Sequence, residues 1–567
     1  MNSFDCRKAA SSRFTRQLGH WLGPGLAMLM LAALPIHTAQ AQMVAPPIPS
    51  PTIDRDRLDR AEPVVPHRAA PAPSIPASVE VKGVAAPAVI LTRVHFEGST
   101  LAPKVLQEAV APWLGAKLDK DALQQIANAV SATYAHSDIA FYAVSIPPQL
   151  STGGVLIVRA VEGRIADYAL AGKTSSTPVH LIDHQVKRLM RETPTRKSSL
   201  ERTMSLLRDI PGQTVEAKLR QTGTPGQVAL DLEVKRKQVE ISLNLNNGGV
   251  VNVVSGVQAQ LGVAVNGLLR EGDVTRFSGS LPFQPDRYQF YTLSHATPLG
   301  SNGTTIGVSG AYVRTLTQDD IRGDARQLGL AISHPLIRSY HRNLSVQASL
   351  DGTNSDNYYL DTAFGQFRAR TLRIGASWSS VGAKDGYAVS LSLSQGLNAL
   401  GARPLEGYSD TSYRKANGQI TGVKQIGKTV SFRATVRGQF TRDLLPTTER
   451  FSLGGEGAGV AYRTGIVTAD KAVAGDMELA WQAVGDAKST RGLTVFAYAD
   501  GALAHSYARP FYALPATDYS LATAGGGVRV KPVKGLITTA QIAVPVKKIA
   551  PDYSNKARFL FSITRTI

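Results

Sequence analysis

Val239-Glu240-Ile241-Ser242-Leu243-Asn244-Leu245-Asn246 places an apolar residue at every odd position and a polar one at every even position. Successive side chains of a strand point to opposite faces, so this segment folds as a ribbon with one greasy and one wet side. The same alternation returns through the last part of the 567-residue chain, in strand-like segments beginning near 238, 254, 273, 287, 303, 326, 343, 369, 386, 411, 429, 474, 493, 520, 535 and 557. Sixteen two-faced strands without a long apolar run are the pattern of a transmembrane β-barrel, and an even number suits closure. Val430, Phe432, Ala434, Val436 and Phe440 share one face of their segment, and Ser431, Arg433, Thr435, Arg437 and Gln439 share the other. An arginine facing lipid at mid-depth costs about 2–4 kcal/mol, which assigns Arg433 and Arg437 to the lumen. The last strand alternates Phe559, Phe561 and Ile563 outward. An outer membrane and a polar-lined pore are implied, and transport is the function expected of them.

Composition is consistent with this. Charged residues make up 19% of the chain, and no segment supplies the roughly 20 apolar residues of a membrane-spanning helix. The nearest approach, Trp21 to Ile36, holds Pro24 and Pro35, follows Arg7, Lys8, Arg13 and Arg16, and precedes Thr38-Ala39-Gln40-Ala41. That order of basic, apolar and small residues predicts a secretory signal over residues 1–41, cut after Ala41. Cys6 is the only cysteine and lies inside it, so disulfides, thiolate nucleophiles and cysteine metal sites are excluded from the exported chain. The net charge of +19 is scattered along strands and turns rather than gathered in one patch. It fits loops against anionic lipid and a basic pore lining better than nucleic acid.

Residues 42–88 are rich in proline and predict an extended linker. Inside it, residues 52–62 form a charged island, Thr-Ile-Asp-Arg-Asp-Arg-Leu-Asp-Arg-Ala-Glu, that predicts a short helix capped by Thr52 and stopped by Pro63. At that length it needs a host surface or cavity. Residues 89–164 then read β-α-α-β-β, with helices over Pro103–Leu114 and Asp119–Tyr134. Residues 165–237 repeat the order, with strands at Ile165–Leu170, Thr214–Leu219 and Val228–Val234 and helices at Leu181–Met190 and Ser198–Leu207.

One connection in the strand series, residues 442–473 between the eleventh and twelfth strands, is unusually long. A loop of about 30 residues without structure of its own is usually functional. It contains Glu449-Arg450-Phe451-Ser452-Leu453-Gly454-Gly455. Together with Phe96-Glu97-Gly98, Ile146-Pro147-Pro148-Gln149, Val161-Glu162-Gly163-Arg164-Ile165 and Leu206-Leu207-Arg208-Asp209-Ile210-Pro211-Gly212, it makes the chain resemble the outer-membrane transporters of two-partner secretion, the haemolysin-secretion and filamentous-haemagglutinin-transporter family. The resemblance implies two α+β POTRA domains before an all-β sixteen-stranded antiparallel barrel, and a plug helix at 52–62 carrying Asp54, Arg55, Arg57 and Leu58. It implies a pore loop using Glu449, Arg450, Phe451, Leu453, Gly454, Gly455, Tyr462 and Arg463. Ala499-Asp500-Gly501 is similar to the acidic motif on strand thirteen that faces this loop. The family's loop tip carries Arg-Gly-Phe/Tyr, whose arginine pairs with that aspartate. Here the positions read Val460-Ala461-Tyr462, and Arg463 is the candidate to reach Asp500 instead. The chain ends in Ile567, not the aromatic residue common in such barrels.

The partners implied are an unfolded secreted exoprotein with an N-terminal secretion domain and outer-membrane lipid including lipopolysaccharide, the chain acting as a monomer. Cofactors and metals are not expected. There is no nucleophile elbow, H-E-x-x-H or P-loop. Gly455-Glu456-Gly457-Ala458-Gly459 neither follows a buried strand nor opens a helix. Asp351, Asn354, Asp356 and Asp361 lack calcium-loop spacing and read as a solvated surface loop. An assembly insertase of the same superfamily is the alternative, although it would normally carry more POTRA repeats.

Overall fold

The structure, a computed structural model, describes residues 73–82, 89–149, 152–171, 180–483, 492–549 and 556–567. The expected signal and the island at 52–62, with Asp54, Arg55, Arg57 and Leu58, lie outside the described residues.

Two small α+β modules come first. The first contains β1 (Ser78–Val81), β2 (Arg93–Glu97), α1 (Pro103–Val110), α2 (Lys120–His136), β3 (Tyr142–Ile146) and β4 (Val155–Glu162). Helix α2 starts where the Asp119 carboxylate accepts the Ala122 N–H at 2.7 Å, satisfying an amide that the helix itself leaves open. Its buried stripe, Leu123, Ile126, Ala127, Val130 and Tyr134, packs on a sheet ordered β1-β3-β4-β2. The Gln149 side chain imitates a strand, donating to the Ile157 carbonyl and accepting its N–H, both at 2.8 Å. The second module holds β5 (Arg164–Ala171), α3 (His180–Met190), α4 (Lys197–Arg208), β6 (Gln213–Gln221) and β7 (Gln227–Arg236), its sheet ordered β5-β7-β6. Main-chain bonds join the modules: Ala140 N–H to the Thr195 carbonyl at 2.9 Å, and Thr195 N–H to the Gly163 carbonyl at 3.0 Å.

The barrel follows. Its first strands are β8 (Val239–Asn246), β9 (Gln258–Asn266), β10 (Val274–Pro282), β11 (Tyr288–Pro298) and β12 (Thr305–Leu316). Next come β13 (Ile321–Arg338), β14 (Arg342–Tyr359), β15 (Thr362–Val381), β16 (Asp385–Gly396), β17 (Arg414–Ile426) and β18 (Val430–Thr441). After a short hairpin, β19 (Phe451–Leu453) and β20 (Val467–Ala469), the wall resumes with β21 (Lys471–Gln482), β22 (Thr494–Ser506), β23 (Thr517–Val530), β24 (Leu536–Lys547) and β25 (Arg558–Thr566). Leaving out the hairpin, these are sixteen antiparallel strands in one closed ring, with β25 paired to β8. That last ladder is short, its register running from Ser562 opposite Asn246 to Thr566 opposite Ser242, with Ile241 and Ile567 exchanging main-chain bonds just beyond.

The outer face is apolar: Leu391, Leu393 and Phe440 are 53%, 56% and 57% exposed. A continuous band of this kind is stable only against lipid. The 20 residues of β15 run about 66 Å at roughly 3.3 Å each, and at a barrel tilt of about 35–45° they still climb roughly 50 Å, well beyond a hydrocarbon core of about 30 Å. Strands β13 to β15 therefore project from the membrane on the side away from the modules. Asp351, Asn354 and Asp356 lie on β14 rather than in the surface loop expected of them. Asp356 pairs with Arg368 at 2.8 Å, and Asp361, in the turn, pairs with Arg322 at 2.8 Å.

The second module docks on the opposite rim. Arg338 forms a two-pronged pair with Asp209, and Arg202 donates to the Pro335 carbonyl at 3.0 Å. Glu271 accepts the Leu181 N–H at 2.8 Å at the start of α3.

Candidate functional site: a hairpin held inside the barrel

The connection between Thr441 and Lys471 turns back into the lumen. It is not structureless, as the sequence suggested. Phe451-Ser452-Leu453 and Val467-Thr468-Ala469 pair as an antiparallel hairpin, and its glycine-rich tip folds on itself. Gly454 N–H reaches the Ala458 carbonyl at 2.8 Å, and Gly455 N–H reaches the Gly459 and Tyr462 carbonyls at 3.1 and 3.0 Å. The Gly454 and Gly455 amides are thus spent within the tip and are not free to cradle a phosphate. Gly459 has φ +115°, and a Cβ there would meet Leu521 Cδ1 of the wall at 2.7 Å, so two constraints select glycine.

The root is held by buried charge. Glu449 is 1% exposed. Its carboxylate pairs with Arg373 Nη2 at 2.6 Å and Lys415 Nζ at 2.9 Å, and Arg373 Nε also reaches Asp351 at 3.2 Å. These cations stand on β15 and β17, so one loop acid draws two wall strands together. Lys415 Nζ and Gln439 Nε2 both donate to the Glu449 main-chain carbonyl, at 2.9 and 3.1 Å. Next to it, Arg450 Nη1 donates to the Tyr408 hydroxyl at 2.9 Å and Nη2 to the Ser506 hydroxyl at 2.6 Å. Asp470, at the far end of the hairpin, receives both prongs of Arg509 at 2.8 and 3.0 Å, and Arg509 lies over the Tyr408 ring at 4.5 Å. Burial pushes the Asp470 carboxyl up, but Arg509 and Arg450 outweigh it and hold the group below its usual range.

Along its length the hairpin is apolar. Phe451, Leu453, Ala458, Val460, Ala461 and Tyr462 are buried against Ala472, Ala474, Ala502, Ala504 and Ala543 of the wall. The Tyr462 hydroxyl donates to the Lys547 carbonyl at 2.7 Å. Inward alanines on β21, β22 and β24 leave room for the hairpin, a sequence signal that alternation alone passes over.

At the tip, Asp500 of β22 accepts the Val460 N–H at 3.0 Å and the Thr523 hydroxyl. The expected Arg463–Asp500 pair is not formed: main-chain amide takes the arginine's place. Arg463 turns instead toward the connection after β8, where its Cδ lies 3.9 Å from a Cβ built on Gly249. An arginine does meet the tip, but from the closing strand. Arg558 of β25 donates to the Val460 carbonyl at 3.3 Å and to the Gly248 carbonyl at 2.9 Å. The main chain of Val460 is thereby held on both sides, its N–H by Asp500 and its carbonyl by Arg558.

The hairpin stands between two spaces in the lumen, each large enough for many waters. One of about 680 Å³ is lined by Asn244, Gln260, Arg433, Arg437, Asp500 and Arg529, and one of about 1000 Å³ by Ser333, Asn343, Gln347, Arg373, Ser392 and Asn417. Arg433 and Arg437 face the lumen, but the lining is not simply basic. Asp476 lies 3.9 Å from each, and Glu478 lies 3.8 Å from Arg433 and 3.2 Å from Arg529. Opposite charges on β18, β21 and β23 thus form a ladder across the wall. Among the described residues no group of side chains could hold a metal ion.

Several solved structures have a similar fold. CdiB from Escherichia coli superposes with a TM-score of 0.73 at 17% identity, over 91% of this chain and 97% of that one. CdiB from Acinetobacter baumannii gives 0.62 at 13% identity, over 98% of both chains. BamA from Haemophilus ducreyi lacking POTRA domains 1–3 gives 0.50 at 14% identity, over 85% of this chain and all of that one. At these identities the likeness is one of fold. No curated protein matches the chain in sequence. Residues 89–163 match the ShlB-type POTRA domain. Residues 226–529, more than half the chain, match the haemolysin secretion/activation protein model ShlB/FhaC/HecB, and the chain belongs to that family.

Proposed function

We propose that this protein carries one unfolded exoprotein from the periplasm to the outside through the lumen now occupied by the hairpin. Membership of the family makes it an outer-membrane secretion pore with periplasmic POTRA domains and a secreted partner. The finer reading concerns how the pore works. Its main support is the unequal fastening of the hairpin. Buried ion pairs fix the root, whereas the tip is held by hydrogen bonds of its main chain to Asp500 and Arg558 and by apolar contacts. A segment fastened in this way can swing aside without leaving the barrel. The exoprotein binds the POTRA pair in extended form, displaces the tip and moves through a lumen of Ser, Asn, Gln and paired charges. Nucleotide hydrolysis has no part in the scheme, and folding of the cargo outside biases its movement. Residues 52–62 act as a second plug in the resting state. The chain works as a monomer surrounded by outer-membrane lipid, including lipopolysaccharide.

Two POTRA modules favour this over the insertase reading. Deletion of the gene should remove one large exoprotein from the culture medium while other outer-membrane proteins keep their levels. A general fall in outer-membrane proteins with normal secretion would point to an insertase.

A further inference from the structure

The first module's sheet has a strand that its β-α-α-β-β repeat does not supply. Strand β1 comes from the proline-rich segment expected to be only a linker. It lies parallel to β3, Ser78 opposite Ala143, Val79 opposite Val144, Glu80 opposite Ser145 and Val81 opposite Ile146. Lys82 N–H continues the ladder to the Ile146 carbonyl at 3.2 Å. Val79 and Val81 pack on the module's core, and Ile75 reaches the core of the second module. In the second module the corresponding strand, β6, pairs with β7 alone among the described strands.

The two edges differ in chemistry as well as occupancy. Strand β6 carries Glu216, Lys218 and Arg220, and charges on an edge discourage further pairing. Strand β3, Tyr-Ala-Val-Ser-Ile, carries none. A neutral edge of this kind is built to receive a strand. The strand it holds is short, four residues with alternate positions exposed, and its nearest ion pair, Lys82 to Glu80 at 3.1 Å, is largely solvated and therefore weak.

We infer that β1 is the resting occupant of a peptide-docking edge on the first POTRA module, and that an extended segment of the exoprotein with apolar residues at alternate positions displaces it in the same parallel register. The occupant defines what fits: four residues running alongside β3, the second and fourth apolar and β-branched, the first and third indifferent. Tethering gives β1 a high effective concentration, so stray peptides are refused and only a segment that pairs better or further along β3 enters. This inference rests on the secretion reading for the identity of the incoming strand, but not for the existence of the edge site.

Two measurements test it on the full-length protein. The first uses a fluorescein-labelled peptide with the sequence of residues 76–84. It should bind detergent-solubilised V79D/V81D protein at least tenfold more tightly than wild type, because the internal strand no longer competes. A copy of the peptide with both its valines 79 and 81 changed to aspartate should not bind. Equal binding of the parent peptide to wild type and variant overturns the edge site. The second uses S78C/A143C, which places cysteines at facing positions in a chain whose only other cysteine is Cys6. Oxidised, this protein should refuse the peptide and stop appearance of the exoprotein in the medium, and a reductant should restore both. Secretion unchanged by oxidation overturns displacement by cargo. Failure of even wild type to secrete an exoprotein, with peptide binding as expected, counts against the transport reading and leaves the edge site standing.

Discussion

At Glu449 a loop carboxylate sits out of water between Arg373 and Lys415. A buried group of this kind adds little over an apolar packing but is expensive to break, because the partners keep their charge and lose their compensation. Glu449→Gln should destabilise the folded barrel by about 3–5 kcal/mol, seen as a lower temperature for conversion of the compact band on detergent gels. An unchanged conversion temperature would show the cluster to be solvated. Arg558 makes a different prediction. Its two bonds to carbonyls are charge-assisted, each worth about 1.5–3 kcal/mol, and one of them holds the tip. Arg558→Gln should let the tip sample the outside, so trypsin added to whole cells should cut after Arg463 faster than in wild type. Arg558→Lys should fall between the two. Little of this was legible in the sequence. Glu449 and Arg450 stood out through a family motif, and Asp500 through another. Arg373, Lys415, Asp470, Arg509 and Arg558 did not, because each is defined by a partner brought near only when the ring closes. The Arg463–Asp500 pair failed for the same reason: spacing along the chain could not show that the Val460 amide already fills the place.

Elements were read more fully than contacts. Alternation reports directly on strands with lipid on one face and water on the other, and it located sixteen of them, the long connection after the eleventh and Asp500 on the thirteenth. It missed β19 and β20, which at three residues each are too short for an alternation to register, and β19 is buried on both faces. It missed β1 because prolines on either side make Ser78–Val81 look like linker. The docking of α3 on the barrel rim was likewise invisible, although it carries a pH dependence. Burial raises the Glu271 carboxyl above its usual range, only partly offset by the Leu181 N–H and Arg236. An acid whose pKa is higher docked than free favours docking most below the free value, about 4.3, and that advantage is lost as pH rises through the docked value. Acidification from neutrality should therefore tighten the contact. Hydrogen exchange over residues 180–190, corrected for intrinsic rate, should slow between pH 7.5 and pH 5, and Glu271→Gln should abolish the difference. Equal slowing in the variant would place the effect elsewhere.

For the whole molecule the question is what keeps a sixteen-stranded ring from leaking. Rings of this size leave an aqueous channel unless something fills it, and here the hairpin stands between two spaces lined by polar and apolar side chains alike. Its fastening divides the labour. The root ties β15, β17 and the turn before β21 into one ionic cluster, while the tip reaches Asp500 on β22, Arg558 on β25 and the connection after β8, where Val251 N–H meets the Thr464 carbonyl at 3.1 Å. The tip therefore touches both sides of the short β8–β25 ladder, and the Asn247 side chain extends that ladder by bonding Phe559 O at 2.9 Å and Phe561 N–H at 2.8 Å. Replacing residues 454–466 by a short glycine-serine turn keeps Glu449, Arg450 and Asp470 in place and removes only the tip. Because the root cluster persists, the barrel should keep its heat-modifiable folded band. With the divider gone the two spaces merge, and conductance in a planar bilayer should rise several-fold over wild type. A folded variant with wild-type conductance would show that the tip is not the barrier. Since residues 52–62 are the other proposed plug, the variant lacking both segments should conduct more than either single deletion.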